Sequence, residues 1–146
     1  MEFVTAINEE DYKYGRKKEV GVLLTKGSLL MKDGLFKKAL AIYEEAEKID
    51  PLDVNVLANK GMTLAYLGEH SQALEYYDKS LKINPKYGQA LYNKASCKSL
   101  LGNMEEALEL LELAIKADKR CREIAKKDEE FNNLRNMPRF QSIIES

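Results

Sequence analysis

Among the residue types best suited to nucleophilic, redox or metal chemistry, this sequence has one histidine, His70, and two cysteines, Cys97 and Cys121. Basic residues flank Cys121, and neighbouring cations can lower the pKa of a thiol. No histidine or second cysteine is close to either thiol in the sequence, and Cys97 stands among apolar positions. We therefore interpret Cys97 as a core residue and His70 as the cover of a helix pair. Redox sensing at Cys121 is the less favoured alternative.

Sequence motifs typical of active sites are absent. The sequence has no phosphate-binding glycine loop, no paired histidines at helical spacing and no calcium-binding loop. Two clusters of acidic residues have lysines three or four positions away, which is typical of a solvated helix surface; they are Glu44, Glu45 and Glu47, and Glu105, Glu106, Glu109 and Glu112. We expect no catalytic residues, no metal site and no cofactor.

The composition excludes several classes of protein. Of the 146 residues, 45% are hydrophobic and 32% are charged, and 23 basic against 24 acidic residues give a net charge of -1. This balance disfavours a disordered chain and offers no excess of positive charge to nucleic acid or to an anionic membrane. No apolar run reaches the roughly 18 residues of a membrane span, and residues 1–12 hold four acids and no base, unlike a signal peptide. We expect a cytoplasmic protein without nucleic-acid or membrane partners.

The elements that would position any functional residue repeat along the chain with a period of 34 residues. A fixed period of this length is the signature of a repeat architecture. Identical residues recur in step, among them Gly34, Gly68 and Gly102; Ala39, Ala73 and Ala107; Leu40, Leu74 and Leu108; and Lys26, Lys60 and Lys94. Pro51 and Pro85 keep the same spacing, whereas the third copy has Lys119 at that position.

Each copy is predicted to form two helices joined at its shared glycine. Apolar residues recur at intervals of three and four on both sides of that glycine, which itself suits the left-handed residue that ends a helix. Asp53 is placed to cap the helix that follows Pro51. In the third copy Asn103 and Glu106 have the spacing of a capping box.

Small and bulky residues alternate in a way that predicts how the helices pack. Small residues such as Gly61 and Ala73 stand where the two helices of one copy must approach closely. The large side chains of Tyr43 and Tyr77 are expected to fill the space between neighbouring copies.

These residues resemble the tetratricopeptide repeat family. The family's pattern of small residue, glycine, aromatic, alanine, aromatic, small residue and proline is met by Gly27, Gly34, Phe36, Ala39, Tyr43, Ala46 and Pro51, and nearly as well by Gly61, Gly68, His70, Ala73, Tyr77, Ser80 and Pro85. The resemblance covers three units, 20–53, 54–87 and 88–121, and the third departs from the pattern at Lys98, Leu111 and Lys119. It implies an all-α fold, a right-handed α-solenoid of three helix-turn-helix units, with capping helices in residues 1–19 and 122–146.

Both flanks are expected to cover an end of the solenoid. Residues 122–146, here called the closing segment, resemble the segment that follows the last repeat in many small prokaryotic proteins of this family. Five apolar residues of the closing segment would lie on the third unit: Ile124, Phe131, Leu134, Phe140 and Ile144. At the other end, Asn8 could cap a helix with Asp11 at its third position, and that helix either continues into the first unit or breaks near Val20. We expect a complete small protein; a repeat block from a larger one is the alternative.

In this family the first helices of successive units line a concave face. The positions that the resemblance places in that face are polar but almost uncharged here, and we predict a peptide-binding groove at Asn55, Asn59, Met62, Tyr66, Gln89, Tyr92 and Asn93. Amide side chains can hold the backbone of an extended peptide, and tyrosines often anchor partners. The alternative is that the amides only keep an open face soluble.

Some family members bind the acidic carboxyl ends of the seventy- and ninety-kilodalton heat-shock chaperones with a clamp of lysines, arginine and asparagines. The matching positions here are Leu24, Ser28, Asn59, Gln89 and Asn93, and only Asn59 fits. A terminal carboxylate would lack its charge-assisted partners. We therefore predict an adaptor or scaffold that binds a protein segment without this clamp. A weak or structural homo-oligomer assembled through the end faces is the alternative, and RNA binding is disfavoured because no unit has a basic strip.

Overall fold

The computed structural model describes the backbone of residues 9–146 and the side chains from residue 13 onward. In this range the chain forms eight α-helices and one short 3-10 helix, and no strand. They are α1 (Glu9–Lys32), α2 (Phe36–Ile49), α3 (Val54–Tyr66), α4 (His70–Ile83), α5 (Gly88–Leu100), α6 (Met104–Ala117), α7 (Arg120–Lys127), the 3-10 helix Glu129–Phe131, and α8 (Pro138–Glu145). The predicted all-α solenoid is confirmed. The predicted cap at Asn8 and its partner Asp11 lie outside the described side chains.

Each helical hairpin turns at one of the three glycines in register. Gly34, Gly68 and Gly102 have φ angles of +75°, +83° and +83°, a conformation that costs other residues about 1 kcal/mol. In the second turn the Gly68 N–H donates to Ala65 O (3.0 Å) and the Glu69 N–H donates to Leu64 O (2.9 Å). This pair of bonds satisfies the last carbonyls of α3 and closes the hairpin.

The helix caps follow the sequence prediction at one site and not at the other. Asp53 Oδ1 accepts from the N–H groups of Asn55 (2.8 Å) and Val56 (3.1 Å), as predicted. The capping box of Asn103 is not formed, because the Asn103 side chain makes no capping bond and its N–H already donates to Lys98 O at 2.9 Å. In so short a turn, Asn103 precedes α6 and also closes α5, so its backbone N–H is not available to the Glu106 carboxylate.

The two helices of a unit approach closely at a glycine that faces a tyrosine ring. A Cβ atom on Gly61 would lie 2.7 Å from Tyr77 Cε1 and 3.1 Å from Ala73 O, so an added side chain has no room. Tyr77 therefore packs inside its own unit, whereas the sequence analysis predicted that it would pack only between units. It also reaches the next unit, since it shares a buried cluster with Cys97.

Two of the lysines in register join neighbouring units. Lys60 Nζ lies 3.3 Å from Glu47 Oε1 and donates to the Tyr76 hydroxyl at 2.8 Å. Lys94 Nζ repeats this role one unit later, at 2.8 Å from Asp78 Oδ1. Burial works to lower the pKa of Lys60, but the Tyr76 hydrogen bond and the Glu47 charge outweigh it and leave the pKa raised. Glu47 is thus a partner of a buried lysine, and the prediction of a wholly solvated acidic surface is wrong at this position.

The first helix is unbroken, so the N-terminal flank and the first unit share α1. Of the two alternatives left open by the sequence, the continuous helix is the one observed, and Val20 is buried inside it. Gly15 and Gly21 stand in open space, where glycine weakens a helix without ending it. Arg16 Nη2 donates to Ile49 O at 2.6 Å and ties this part of α1 to the end of α2.

The closing segment covers the third unit with four of its five predicted residues, because Phe131, Leu134, Phe140 and Ile144 are buried in one cluster with α5 and α6. The fifth, Ile124, is 55% exposed. On the short helix α7, Cys121 and Ala125 form the buried face, and Ile124 points away from it. No helix among the described residues is long and apolar enough to cross a membrane.

Candidate functional site

The first helices of the units form one continuous row. Helix α1 contacts α3, and α3 contacts α5, while α2 and α4 each pack between consecutive first helices. Helices α3 and α5 carry all seven residues predicted for the groove. The repeat period places them on the two helices so that the same face of each points to the same side of the row.

Three of the predicted groove residues belong to a chain of hydrogen bonds across α3 and α5. The Tyr87 hydroxyl bonds to Asn55 Oδ1 and lies 3.0 Å from Gln89 Oε1. Gln89 Nε2 then donates to Asn59 Oδ1 at 2.8 Å. These amides are held in place by one another, and Tyr87, which the sequence analysis did not select, fixes the end of the chain.

Tyr66 stands at the edge of the row and is 58% exposed. Its ring stacks on Phe36, with ring centroids 5.0 Å apart and planes 10° from parallel. The contact joins the end of α3 to the start of α2 in the preceding unit. Tyr66 thus presents a rigid, partly exposed aromatic surface of the kind that anchors partners.

A cavity of about 270 Å³ opens beside Tyr66, between the second unit, the third unit and the closing segment. Four of the predicted residues line it: Met62, Tyr66, Tyr92 and Asn93. The other walls come from α4, from α5 and from the closing segment, and include His70, Tyr77, Ser96, Cys97, Leu100, Ile124, Asp128 and Glu130. The seven predicted residues therefore divide in two: Asn55, Asn59 and Gln89 form a hydrogen-bonded group, and the other four line the cavity.

Tyr92 is a fixed part of this wall. Its hydroxyl donates to Asp128 Oδ2 at 2.6 Å, and its ring meets Phe131 edge-on, with centroids 5.4 Å apart. Burial first, and then the bond to Asp128, raise the pKa of Tyr92 well above its ordinary value. Tyr92 therefore stays a neutral donor that joins α5 to the closing segment.

Asn93 has a buried Nδ2 atom with no hydrogen-bond partner among the described residues. A buried donor of this kind costs about 1–3 kcal/mol when it stays unpaired, and such groups are rare. Because Asn93 lines the cavity, a turn of its amide toward the cavity would let an acceptor that enters there, such as a peptide carbonyl, satisfy it.

Sequence reasoning missed the acidic wall of the cavity. Asp128 caps the 3-10 helix by accepting from the Glu130 N–H at 3.0 Å, and Ser99 Oγ donates to Glu130 O at 2.8 Å. These bonds hold Glu130 against α5. Burial, followed by the charge of Asp128, raises the pKa of the Glu130 carboxyl. Both residues lie outside the repeats, so no period relates them to the groove.

The two cysteines behave as buried thiols. Cys97 is 2% exposed, and its Sγ lies 3.7 Å from Nδ1 of His70, a neighbour that sequence distance had concealed. Burial raises the pKa of both Cys97 and Cys121. The less favoured alternative, in which neighbouring cations lower the pKa of the Cys121 thiol, is not supported, because burial and Asp118 outweigh Arg120.

Family models with the description "Tetratricopeptide repeat" match residues 20–51, 54–87 and 76–109. A comparison with curated protein sequences gives no match.

Several solved structures share the fold. The first TPR domain of Spaghetti, bound to the HSP90 peptide SRMEEVD, is 19% identical with a TM-score of 0.67, over 88% of this chain and 92% of that one. The Sgt2 TPR domain of Aspergillus fumigatus is 20% identical with a TM-score of 0.67, over 86% and 76%. The TPR2B domain of yeast Sti1, in a complex with pHsp70, is 20% identical with a TM-score of 0.68, over 80% and 95%. With its three hairpins, its glycine turns and these matches, the chain belongs to the tetratricopeptide repeat family.

Proposed function

We propose that this protein is an adaptor that binds an extended segment of a partner protein along the face of α3 and α5. The observation that carries the proposal is the buried, unpaired Nδ2 of Asn93 in a cavity that opens on that face. A peptide backbone supplies carbonyl acceptors at regular intervals, which this donor requires. Similar domains in Spaghetti and in yeast Sti1 bind chaperone peptides, and domains of this family are typically interaction modules without catalysis.

The partner segment is proposed to differ from those chaperone tails. Leu24, Ser28, Gln89 and Asn93 provide no cation where a clamp for terminal carboxylates would need one. An acidic carboxyl terminus would lose its hydration without gaining an ion pair. A scaffolding role and a cytoplasmic location also remain predictions.

Replacing both Asn59 and Asn93 with alanine is expected to weaken peptide binding by about 1–3 kcal/mol, because amide groups of the peptide are left without partners. Asn59 also accepts from Gln89 Nε2, so its loss loosens the hydrogen-bonded group. The measurement is calorimetric titration with dodecapeptides selected from a random display library against the full chain.

The matched control is Asn136→Ala, an exposed asparagine in the closing segment, which should leave affinity unchanged. If the double variant binds the selected peptides as tightly as the wild type, the face of α3 and α5 is not the binding site.

Self-association is the second candidate function. Tyr14, Val22 and Leu29 form an exposed apolar stripe along α1, and such a stripe favours contact with another surface. Sedimentation velocity over a hundredfold concentration range separates the candidates. A function in assembly alone requires a dimer or larger species, whereas the adaptor function is compatible with a monomer throughout.

A further inference from the structure

The cavity between the second and third units has an acidic wall, and its described lining includes one histidine, His70. Asp128 and Glu130 line it, and none of the described lining residues is a lysine or an arginine. We propose that this cavity binds the side chain of one lysine or arginine of the partner segment. The inference rests on the proposed function, since it specifies which residue a bound peptide must carry.

Glu130 is the carboxylate that remains available to a ligand. Each oxygen of Asp128 already accepts one hydrogen bond, Oδ1 from the Glu130 N–H at 3.0 Å and Oδ2 from the Tyr92 hydroxyl at 2.6 Å. The Glu130 carboxylate makes no ion pair with any described lysine or arginine. Beside it lie the Ser96 hydroxyl, which is a hydrogen-bond partner, and the His70 ring.

The electrostatic state of Glu130 supports a cationic occupant. Burial and the nearby Asp128 charge raise the pKa of its carboxyl, so the ionised form is held at a cost in the free protein. A guanidinium or ammonium group in the cavity would offset that cost and gain charge-assisted hydrogen bonds. An acidic side chain would add a third negative charge and would be rejected.

The size of the cavity fits one side chain. Its volume of about 270 Å³ is below the roughly 300–1,000 Å³ of sites for whole small molecules. Tyr66, Tyr77 and Tyr92 line it, and aromatic rings attract cations and pack against the methylene stem that precedes the charge. A metal ion is a poorer occupant, because no three histidine, cysteine or acidic side chains converge in the described part of the chain.

One basic residue would also satisfy the unpaired donor beside the acid. Asn93 lines the cavity and its Nδ2 is buried and unpaired, so the backbone of the bound residue would supply a carbonyl acceptor once the Asn93 amide turns toward it. The same peptide residue would thus supply a cation to the Glu130 carboxylate and a hydrogen-bond acceptor to Asn93 Nδ2. Because a free amine has no backbone carbonyl, a lysine or arginine within a polypeptide fits the cavity better than a free amine does.

The test is a selection of random dodecapeptides on the full chain, run in parallel with Glu130→Gln and with Glu129→Gln. Glu129 is the exposed neighbour of Glu130, so the control removes the same charge outside the cavity. We expect the wild type and Glu129→Gln to enrich arginine or lysine at one fixed position. Glu130→Gln should still select peptides but without that enrichment.

The selected peptide is then remade with citrulline in place of arginine, or with acetyl-lysine in place of lysine. The neutral peptide should bind the wild type at least about tenfold more weakly and should bind Glu130→Gln no more weakly than the charged one. Because the ionised Glu130 is held at a cost, Glu130→Gln should melt at the same temperature as the wild type or higher, which separates a binding role from a structural one.

Each outcome has a distinct meaning. Peptides that depend on Asn59 and Asn93 but carry no enriched basic residue would overturn the basic pocket and leave the adaptor function in place. A selection that yields no binding peptide would overturn both. An equal loss of affinity in Glu129→Gln would show a general charge effect and would also contradict the pocket.

Discussion

Replacing Phe131 with alanine is expected to lower the free energy of unfolding by about 3–5 kcal/mol. The Phe131 ring is fully buried, meets Tyr92 edge-on and lies 6.2 Å from the Phe140 ring. Truncation would leave a void where the closing segment covers α5, and backbone bonds on both sides limit its collapse. Equilibrium unfolding in urea measures the change.

The damage should stay near the C-terminal end, because each unit of a solenoid contacts only its neighbours. Amide hydrogen exchange should rise in α7, α8 and the 3-10 helix before it rises in α3 and α4. Leu113→Ala, at a half-exposed position of α6, is the control and should change stability by no more than about 0.5 kcal/mol. A loss below about 1 kcal/mol in Phe131→Ala would contradict the role given to the closing segment.

Replacing Tyr77 with alanine should have a comparable effect, about 3–5 kcal/mol, as for other buried aromatic side chains. The ring fills the space that Gly61 leaves between α3 and α4 and extends to Cys97 of the third unit. Its loss removes contacts inside one unit and between two units at once. Thermal unfolding followed by circular dichroism would show the lower midpoint.

Two further tyrosine variants define what Tyr77 contributes. Tyr77→Phe keeps the ring and should retain most of the stability. Tyr14→Ala removes a tyrosine that is largely exposed on α1 and should cost no more than about 0.5 kcal/mol. If Tyr77→Phe is as unstable as Tyr77→Ala, the hydroxyl matters more than the ring and the packing argument is wrong.

The parts of this fold that depend on near neighbours in the sequence were predictable. The positive φ of Gly68 and the cap by Asp53 each involve residues within a few positions, and their chemistry leaves few alternatives. The period of 34 residues then relates one hairpin to the next. Together these features predict three stacked units before any coordinates are known.

The parts that depend on distant segments were not predictable in the same way. Ile124 has the apolar character of a core residue, yet Cys121 and Ala125 form the buried face of α7. Glu130 meets His70 and Ser96 only because the closing segment folds back on α5. No repeat period or motif encodes that contact, so the acidic cavity appears only in three dimensions.

The candidate groove shows the same division. The resemblance to the family predicted which helices and which faces would line it, and the residues do lie on α3 and α5. It did not predict that Asn55, Gln89 and Asn59 would be joined through hydrogen bonds with Tyr87. Side chains of neighbouring units meet at distances that depend on the angle between helices, and one sequence does not specify that angle.

The most direct test of the account is an amide chemical-shift map of the isotopically labelled full chain, titrated with a selected peptide. Recognition in the proposed groove predicts that the largest shifts fall on α3 and α5, with the Asn93 side-chain amide among them, and that the peptide is recovered intact. Largest shifts on the outer helices α4 and α6, or along the exposed stripe of α1, would contradict it.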